Sequence, residues 1–358
     1  MTITIPAPLL TDYLARVYRA AGSPEDEARI VAEHLVEANL KGHDSHGVIR
    51  TSGYLLQIRN GVAHPGAPTL VIGDAPSMAV LDGGWNLGQV VATRATEMAI
   101  AKARETGVAL VTCINTMHAG RVGAYGEQIV RAGMAAMGGV NTPGARLVAS
   151  FGGGHRRTGT NPLMFAFPGE TPDAPFVLDM ATSVVAEGKL RVAVNKGDEV
   201  PEAWILDGDG KPSTQPRDFY GTGDNEKLGT LLPVGSALSG YKGFGLNLAV
   251  ETLGGVLSGA GTSVAGTRGT NGVFIMAIDV AHFTPLAAFT SLMAGLGAHV
   301  KEPPYQPGVS EVLLPGEPER RTMAQRLRDG VPLDDETWKQ TVEAAAALGV
   351  GPLELPVA

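Results

Sequence analysis

The stretch VALVTCINTMHAG, residues 108–120, joins a short apolar run to a polar loop that ends in glycine. The segment before it, Gln89–Glu105, has apolar residues at helical spacing and ends at Gly107. The segment after it, Val122–Arg131, has the same spacing and stops at Gly133. Short apolar runs bounded by turn residues predict buried strands, and strands that alternate with helices predict an α/β chain.

The rest of the middle region repeats this alternation. Short apolar runs predict further strands, and one longer run predicts a buried apolar helix. The strands are Met78–Leu81, Met134–Val140, Leu163–Phe167, Phe176–Leu178 and Val273–Ile278, and the helix is Phe244–Leu257. Residues 207–229 are rich in Gly, Asp, Pro and Lys, which favours a surface loop.

Both ends of the chain are predicted to be helical. Apolar residues recur at helical intervals near the start, and Ser23-Pro24-Glu25 predicts a second helix with a hydroxyl cap. Charged helices are predicted at Pro318–Arg328 and Asp334–Leu348. With a Pro-rich boundary at residues 64–68, the pattern predicts a helical domain of residues 1–68 with 300–358, and a core of residues 69–299.

Composition excludes several classes of protein. The formal net charge is −8 and no long basic block occurs, so neither nucleic acid nor an anionic membrane is an expected partner. The single cysteine, Cys113, excludes an intrachain disulfide and fits a reducing compartment. We see no signal peptide and no apolar run of about 18 residues, so we expect a cytoplasmic protein without a membrane span.

Several common site motifs are missing from the sequence. The eight histidines include no H-E-x-x-H pair, and no metal site is expected. No G-x-S-x-G nucleophile elbow occurs. Neither G-x-G-x-x-G nor a P-loop is present, so any dinucleotide must be held without the usual Rossmann turn.

The string DSHGVIR, residues 44–50, carries the first candidate site. If a helix begins near Ser45, then His46, Arg50 and Tyr54 lie four residues apart on one face. Arg50 can bind a carboxylate through two hydrogen bonds, His46 can protonate a carbonyl oxygen, and Ser45 can orient the imidazole. This stripe with its Tyr54 phenol suits a 2-keto acid. The alternative is that His46 and Arg50 only face solvent.

Five other strings combine turn residues with reactive side chains. They are Asn115–Gly120 with His118, Gly159–Pro162 with Thr160, Leu178–Ser183, Gly240–Gly243 with Lys242, and Leu314–Glu317. His118 follows a strand, and a helix that starts near Gly120 would offer free N–H groups to a phosphate. A backbone-bonded His118, a solvated Lys242 and plain turns or caps elsewhere are the alternatives.

Taken in this order, the strings resemble the malate/L-lactate dehydrogenase family of the non-Rossmann type. The matching segments are Gly42–Arg50, Asn115–Gly120, Gly159–Pro162, Leu178–Ser183, Gly240–Gly245 and Leu314–Glu317, with Gly269-Thr270-Asn271 before the last strand. Relatives of that family include ureidoglycolate dehydrogenase, sulfolactate dehydrogenase, diketogulonate reductase and cyclic ketimine reductases. The likeness covers nearly the whole chain, and the ordered set is far more specific than any one string.

The resemblance implies a homodimer with a mixed, mainly antiparallel sheet in place of a Rossmann sheet, in an α/β (α+β) fold with helical ends. It implies His46 as the proton donor, supported by Ser45, or His118 as in ureidoglycolate dehydrogenase-like members. It implies that Arg50 binds the substrate carboxylate, with Thr160 nearby. It implies NAD or NADP held by His118, Ala119, Gly120, Arg121, Val122, Thr142, Leu178, Asp179, Met180, Ala181, Thr182, Ser183, Tyr241, Lys242, Gly316, Glu317 and Pro318.

The sequence therefore predicts hydride transfer between a nicotinamide and a small 2-hydroxy or 2-keto acid. One alternative is a reductase of a cyclic imine carboxylate, such as pyrroline- or piperideine-2-carboxylate. A second alternative is a non-catalytic binding module of the same fold. The intact His46, Arg50 and Lys242 argue against that module.

Overall fold

A computed structural model describes residues 2–221, 227–266 and 269–354 of the chain. Its elements mix helices with sheets, as the sequence predicts. The α-helices are α1 (Ala7–Ala20), α2 (Glu25–Leu40), α3 (Thr51–Arg59), α4 (Gly88–Thr106), α5 (Gly123–Arg131), α6 (Glu187–Lys196), α7 (Pro216–Tyr220), α8 (Ser236–Val250), α9 (Leu286–Val300), α10 (Glu317–Asp329) and α11 (Asp335–Ala346). Short 3-10 helices span Asp44–His46, Val48–Arg50 and Val280–His282, and a π-helix, Glu251–Leu257, continues α8.

The strands form three sheets. They are β1 (Thr2–Ile5), β2 (Leu70–Ala75), β3 (Met78–Asp82), β4 (Val108–Met117), β5 (Met134–Asn141), β6 (Val148–Ala149), β7 (Arg156–Thr158), β8 (Leu163–Phe167), β9 (Phe176–Met180), β10 (Ile205–Leu206), β11 (Pro212–Ser213), β12 (Thr230–Leu231), β13 (Thr270–Asp279) and β14 (Val331–Asp334). The main sheet has the order β2-β3-β4-β13-β5-β8-β9.

The main sheet confirms the prediction of mixed, mainly antiparallel pairing. Only β3 and β4 pair in parallel among its strands, and β13 lies antiparallel between β4 and β5. Because the last strand of the sheet in sequence order sits in its centre, β13 brings residues from about 150 positions away beside β4. Its start therefore lies next to the ends of β4 and β5.

Two smaller sheets complete the architecture. β1 pairs with β14, and the N-terminal helices share one hydrophobic core with β14 and α11. β10, β11 and β12 join β6 and β7 in a small separate sheet with its own core. The first of these cores agrees with a domain that combines both chain ends, although the boundaries at residues 68 and 300 remain a prediction.

Several elements differ from the sequence-based expectation. Ser23 does not cap α2, since Pro24 holds the cap position and the Ser23 hydroxyl is buried without a partner. The sequence does not predict α9, because its apolar residues lack a polar face to mark a helix. Within residues 207–229 the structure has β11 and α7 in place of a plain loop, and residues 222–226 of that prediction lie outside the described residues.

The predicted helix Phe244–Leu257 exists, but the prediction that it is buried is wrong. Leu246, Leu248, Val256 and Leu257 are 41–61% exposed. Hydrophobicity alone could not distinguish burial in this chain's core from burial against another surface. Among the described helices, none combines the length and the hydropathy that a membrane crossing needs.

Close backbone contact holds the π-helix to the central strand. A Cβ at Gly272 of β13 would lie 2.0 Å from the Gly254 carbonyl oxygen and 2.4 Å from Asn141 Oδ1. Only a residue without a side chain allows the two elements to approach this closely.

We expect Gly272→Ala to lower the free energy of unfolding by at least about 2 kcal/mol, since a backbone atom must move. Chemical denaturation measures the change. Gly53→Ala on α3 is the control, because no heavy atom lies within 4 Å of its added Cβ. Equal stability of the Gly272→Ala variant and the native protein would contradict this account of the packing.

Candidate active site

The ends of three neighbouring strands position the centre of the candidate site. Met117 of β4 pairs with Thr270, and Asn141 of β5 pairs with Gly272. Asn271 between them accepts a hydrogen bond from the Ala119 N–H at 2.8 Å. Its Nδ2 donates to the Asn141 carbonyl oxygen at 3.0 Å and to Thr142 Oγ1 at 3.2 Å. One buried amide thus fixes the loop after His118 against Thr142.

The segment with Ser45 and His46 does not start a helix, contrary to the prediction. Two 3-10 turns meet at Gly47, and α3 begins only at Thr51. A Cβ at Gly47 would lie 2.1 Å from Asn39 Oδ1, which accepts the Val48 N–H at 2.8 Å. The close approach of Asn39 therefore requires glycine at this position. It also interrupts the helix on which His46, Arg50 and Tyr54 were predicted to share one face.

The C-terminal helix α10 is hydrogen-bonded to this turn. Arg326 on α10 donates to both carboxylate oxygens of Asp44, at 2.6 and 3.1 Å. Asn39 Nδ2 donates to Asp44 Oδ1 at 2.6 Å. Such two-pronged charged bonds restrain direction as well as distance. The turn with His46 is thereby linked to residues almost 300 positions later in the chain.

The tertiary structure places His46 and His118 side by side. Their ring centroids are 5.7 Å apart and the rings are nearly parallel, at 20°. Ser45 Oγ lies 3.1 Å from His46 Nδ1. Two candidates that the sequence could only propose separately are thus members of one site.

Tyr54 contacts the Nδ1 side of the His118 ring. Its hydroxyl is hydrogen-bonded to His118 Nδ1 and accepts a bond from Gln89 Nε2 at 3.1 Å. Burial raises the pKa of Tyr54 to about 12, so the phenol keeps its proton and can donate it to Nδ1. Tyr54 is 5% exposed. It acts on His118, and its predicted place on a substrate-facing stripe with Arg50 is not what the structure shows.

Burial and a nearby cation keep both imidazoles neutral. Burial, followed by the positive charge of Arg50, lowers the pKa of His46 to about 3. The same two causes hold the pKa of His118 well below its usual range. At neutral pH both rings can therefore accept a proton without first losing one.

Arg50 is exposed and is anchored at one end only. Its Nε donates to the Ser45 carbonyl oxygen at 2.6 Å. Among the described residues, its two terminal NH₂ groups have no hydrogen-bond partner. A guanidinium held at Nε, with its outer fork open, is suited to bind a carboxylate through two bonds.

The loop that follows His118 rests on a buried cluster of charges. Arg121 is 3% exposed, and its Nη2 donates to Glu127 at 2.8 Å. Lys41 reaches both Glu127 and Glu37. The Arg121 side chain is consequently buried inside the protein, with its charge paired to Glu127.

Two of the N–H groups at the start of the following helix, which the sequence offers to a phosphate, are already bonded within the protein. The Arg121 N–H donates to His34 Nε2 at 2.9 Å, and the Gly123 N–H donates to Asp179 Oδ2 at 2.7 Å. Burial lowers the pKa of His34 to about 3, so its ring accepts this bond as a neutral group. Both N–H groups therefore have acceptors within the protein and are not available to bind an anion.

The turn with Thr160 lies beside the same strand ends. A Cβ at Gly159 would lie 3.7 Å from Thr142 Cβ, so the two hydroxyl-bearing loops are neighbours. The Thr182 N–H donates to the Thr160 carbonyl oxygen at 2.9 Å. Thr142, Thr160 and Thr182 thus belong to one continuous region with Ala119.

The remaining predicted cofactor residues are spread more widely. Leu178, Asp179, Met180 and Ala181 are half-buried at the end of β9, whereas Ser183 is buried with its hydroxyl bonded to the Val185 carbonyl oxygen. Gly316, Glu317 and Pro318 lie near the start of β9, where the Val177 N–H donates to the Pro315 carbonyl oxygen. Tyr241 packs edge-on against Phe151, and it and Lys242 are exposed.

Sequence reasoning missed several residues that organise the site. Asn39, Gln89 and His34 act through buried polar contacts, and no local pattern marks such contacts in a sequence. Asn271 stood in a family-like string, which was its only signal. Among the described residues no group of three or more His, Cys, Asp or Glu could hold a metal ion.

Comparison with known proteins identifies the family. A malate/L-lactate dehydrogenase family model matches residues 5–341. Malate dehydrogenase of Pyrococcus abyssi is 38% identical over 360 residues, covering 99% of this chain and 97% of its own. The structure of malate dehydrogenase from Pyrococcus horikoshii OT3 has a TM-score of 0.88 at 35% identity, covering 98% and 97%. Delta1-piperideine-2-carboxylate reductase from Pseudomonas syringae has a TM-score of 0.81 at 25% identity, covering 96% and 99%.

Fold and site together define an oxidoreductase that acts on the CH–OH group of hydroxy acids. The chain belongs to the malate/L-lactate dehydrogenase family.

We expect Arg50→Gln to raise the pKa of His46 above its value of about 3. Removal of the cation stabilises the protonated ring, but burial, the larger cause, keeps the pKa below its usual 6.5. An NMR titration of the His46 ring protons measures the shift. Arg59→Gln, an exposed change at the end of the adjacent α3, is the control, and a fall or no change in the Arg50 variant would contradict the coupling.

Proposed function

We propose that this dehydrogenase interconverts a small 2-hydroxy acid and its 2-keto acid with NAD or NADP. The open guanidinium fork of Arg50 beside the paired imidazoles of His46 and His118 is the observation that carries this proposal. A 2-hydroxy acid carries a carboxylate next to the carbon that loses hydride. The guanidinium and the imidazoles therefore match the two functional groups of one substrate.

The residues around the strand ends fit a nicotinamide dinucleotide in part. Thr142 is half-buried, and its hydroxyl accepts from Asn271, which leaves its proton for a ligand. Lys242 is an exposed cation suited to a phosphate. The backbones of residues 118–122, 178–183 and 316–318 would complete the binding surface. When bound, the nicotinamide accepts or supplies the hydride.

His46 is the better candidate for the proton transfer. When Tyr54 donates to His118 Nδ1, the neutral His118 ring carries its proton on Nε2 and offers a hydrogen bond to the substrate oxygen. The Ser45 hydroxyl can either donate to His46 Nδ1 or accept from it. His46 can therefore present an unprotonated Nε2, which takes the hydroxyl proton as C2 loses hydride and the C–O bond becomes a carbonyl.

Substrate binding changes the charge around the imidazoles. A carboxylate on Arg50 offsets the positive charge that helps to depress both histidine pKa values. The bound 2-keto acid thus favours protonation of His46, as reduction requires. Because oxidation of the hydroxy acid releases a proton and reduction of the keto acid takes one up, oxidation is favoured at higher pH and reduction at lower pH.

A substrate panel tests the proposal. Pyruvate, oxaloacetate and pyrroline-2-carboxylate are offered with NADH and with NADPH, after thermal-shift titrations with each cofactor. We expect turnover of a 2-keto acid. The structural likeness to a piperideine-2-carboxylate reductase keeps the cyclic imine as the second candidate, and turnover of the imine alone would favour it. Cofactor binding without turnover of any substrate would favour a non-catalytic binding module.

We expect His46→Ala to lower kcat for the preferred substrate by at least about 100-fold while the Kd of the cofactor stays nearly constant. Steady-state kinetics and fluorescence titration measure the two quantities. His118→Ala is made in parallel. Unchanged turnover in the His46 variant, together with loss in the His118 variant, would assign the proton transfer to His118.

We further propose a homodimer in which a second copy covers an apolar face. α9 has no buried residue in the single chain, and its Leu292 and Leu296 are 74% and 56% exposed. Leu238 on α8 is 96% exposed. A large apolar surface on a protein without a membrane-crossing helix among its described residues is typical of a subunit interface.

The lone, buried Cys113 supports a cytoplasmic location.

We expect Leu292→Glu to shift the protein from dimer to monomer, because a carboxylate would have to be buried in the interface. Sedimentation velocity at several concentrations measures the change. Leu327→Glu is the matched control, since Leu327 is 56% exposed on α10, outside the apolar face. A dimer that persists in the Leu292 variant would place the interface elsewhere.

A further inference from the structure

The helix formed by α8 and the π-helix has apolar residues on its outward face and polar residues on its inward face, the reverse of an ordinary surface helix. Its outward residues include the exposed Leu246 and Leu248. Its inward face carries Asn247 at 0% and Glu251 at 6% exposure, one turn apart. A carboxylate is rarely buried unless its oxygens are bonded, so this inward polar pair points to a local task.

Asn247 and its partner Thr182 hold the backbone of the turn that includes Thr160. Asn247 Nδ2 donates to the Gly159 carbonyl oxygen at 2.9 Å and to Thr182 Oγ1 at 2.9 Å. Thr182 Oγ1 lies 3.0 Å from the Thr160 carbonyl oxygen and 3.1 Å from that of Asn161, and shares its proton between them. The carbonyls of three consecutive residues are therefore all held from one side.

Glu251 fixes the next residue of the turn. Asn161 is fully buried and has a φ of +37°, a left-handed conformation that a side chain disfavours. Its Nδ2 donates to Glu251 Oε2 at 2.6 Å, and the other Glu251 oxygen accepts the Ser263 N–H. Charge-assisted bonds of this kind are about twice as strong as neutral ones, so Glu251 can stabilise the strained backbone.

The turn leaves Thr160 itself unengaged. Thr160 is half-buried, and within the described part of the chain its hydroxyl makes no hydrogen bond. All restraint on Thr160 comes through the backbone on either side of it. Its hydroxyl is thus held in place while its hydrogen-bonding capacity stays available to a ligand.

We propose that Glu251, acting through Asn161, is a positioning residue for substrate binding, because it fixes the turn that carries the unengaged Thr160 hydroxyl next to Gly159, the neighbour of Thr142. The inference rests on the proposed hydroxy-acid function. It also connects the site with the outer face of the same helix. The inner face of this helix bonds to the turn with Thr160, and its outer face carries the exposed leucines that the proposed second subunit would cover.

The experiment compares Glu251→Gln with the native dehydrogenase, using NADH or NADPH and the 2-keto acid that the native protein turns over best. The amide that this substitution introduces cannot accept from both N–H donors as the carboxylate does. We expect KM for the keto acid to rise at least about tenfold, while the Kd of the cofactor changes less than about twofold. Hydrogen exchange in the peptide of residues 159–167 should become faster.

A reciprocal variant separates positioning from a general loss of structure. Asn161→Asp combined with Glu251→Gln exchanges donor and acceptor across the same pair at constant total charge. We expect this double variant to recover part of the keto-acid KM and of the exchange protection. Asp279→Asn is the control for the loss of a carboxylate that accepts a backbone N–H, since Asp279 accepts the Ala281 N–H at the opposite end of β13.

The outcomes distinguish the inference from the function on which it rests. If the native protein turns over a keto acid and Glu251→Gln leaves both its KM and the exchange of residues 159–167 unchanged, the positioning role is overturned. The same holds if Asp279→Asn raises KM as much as Glu251→Gln does. A native protein that turns over no keto acid overturns the proposed function, and this inference with it.

Discussion

The insertion of β13 between β4 and β5 is the constraint on which the rest of the structure depends. Antiparallel pairing on both sides places the start of β13 at the ends of its two neighbours. Asn271 at that start bonds Ala119 on one side and the Asn141–Thr142 segment on the other. A dinucleotide-binding Rossmann sheet gathers its loops at the carboxyl ends of parallel strands. Here an antiparallel strand gathers them through an amide that bridges two loops.

Low polarity around the histidines gives the site its chemistry. Burial and the charge of Arg50 together keep both imidazoles neutral in the free protein by lowering their pKa values. The substrate carboxylate that Arg50 is suited to bind would remove part of this restraint. Proton affinity would then rise only when a substrate is present, which couples binding to proton transfer without any movement of the chain.

Supporting residues outnumber those that can touch a substrate. Asn39 and Arg326 fix the turn with His46, Tyr54 and Gln89 fix His118, and Asn247 and Glu251 fix the turn with Thr160. These supports are polar contacts, and those around His118 and the turn with Thr160 join distant parts of the chain and are wholly or partly buried. Such contacts are costly if left unmade, so they restrict the protein to one arrangement of the site.

The sequence by itself determined most elements of the main sheet and the chemical class. Helical spacing located α4 and α5, apolar runs located the main-sheet strands from β3 onward, and the missing glycine fingerprint excluded a Rossmann turn. The ordered strings identified the family and singled out His46, Arg50 and His118. These are local properties of the chain, because spacing and composition act over a few residues.

Only the tertiary structure decided how these residues work. It broke the expected helix at Gly47, turned Tyr54 onto His118, occupied the N–H groups before α5 with His34 and Asp179, and placed the apolar helix outside. The bonds of Tyr54, His34 and Asp179 join residues that are more than 50 positions apart in the sequence. A side chain's local pattern fixes its chemistry, but the neighbour that it meets after folding fixes its direction, its protonation and its access to a ligand.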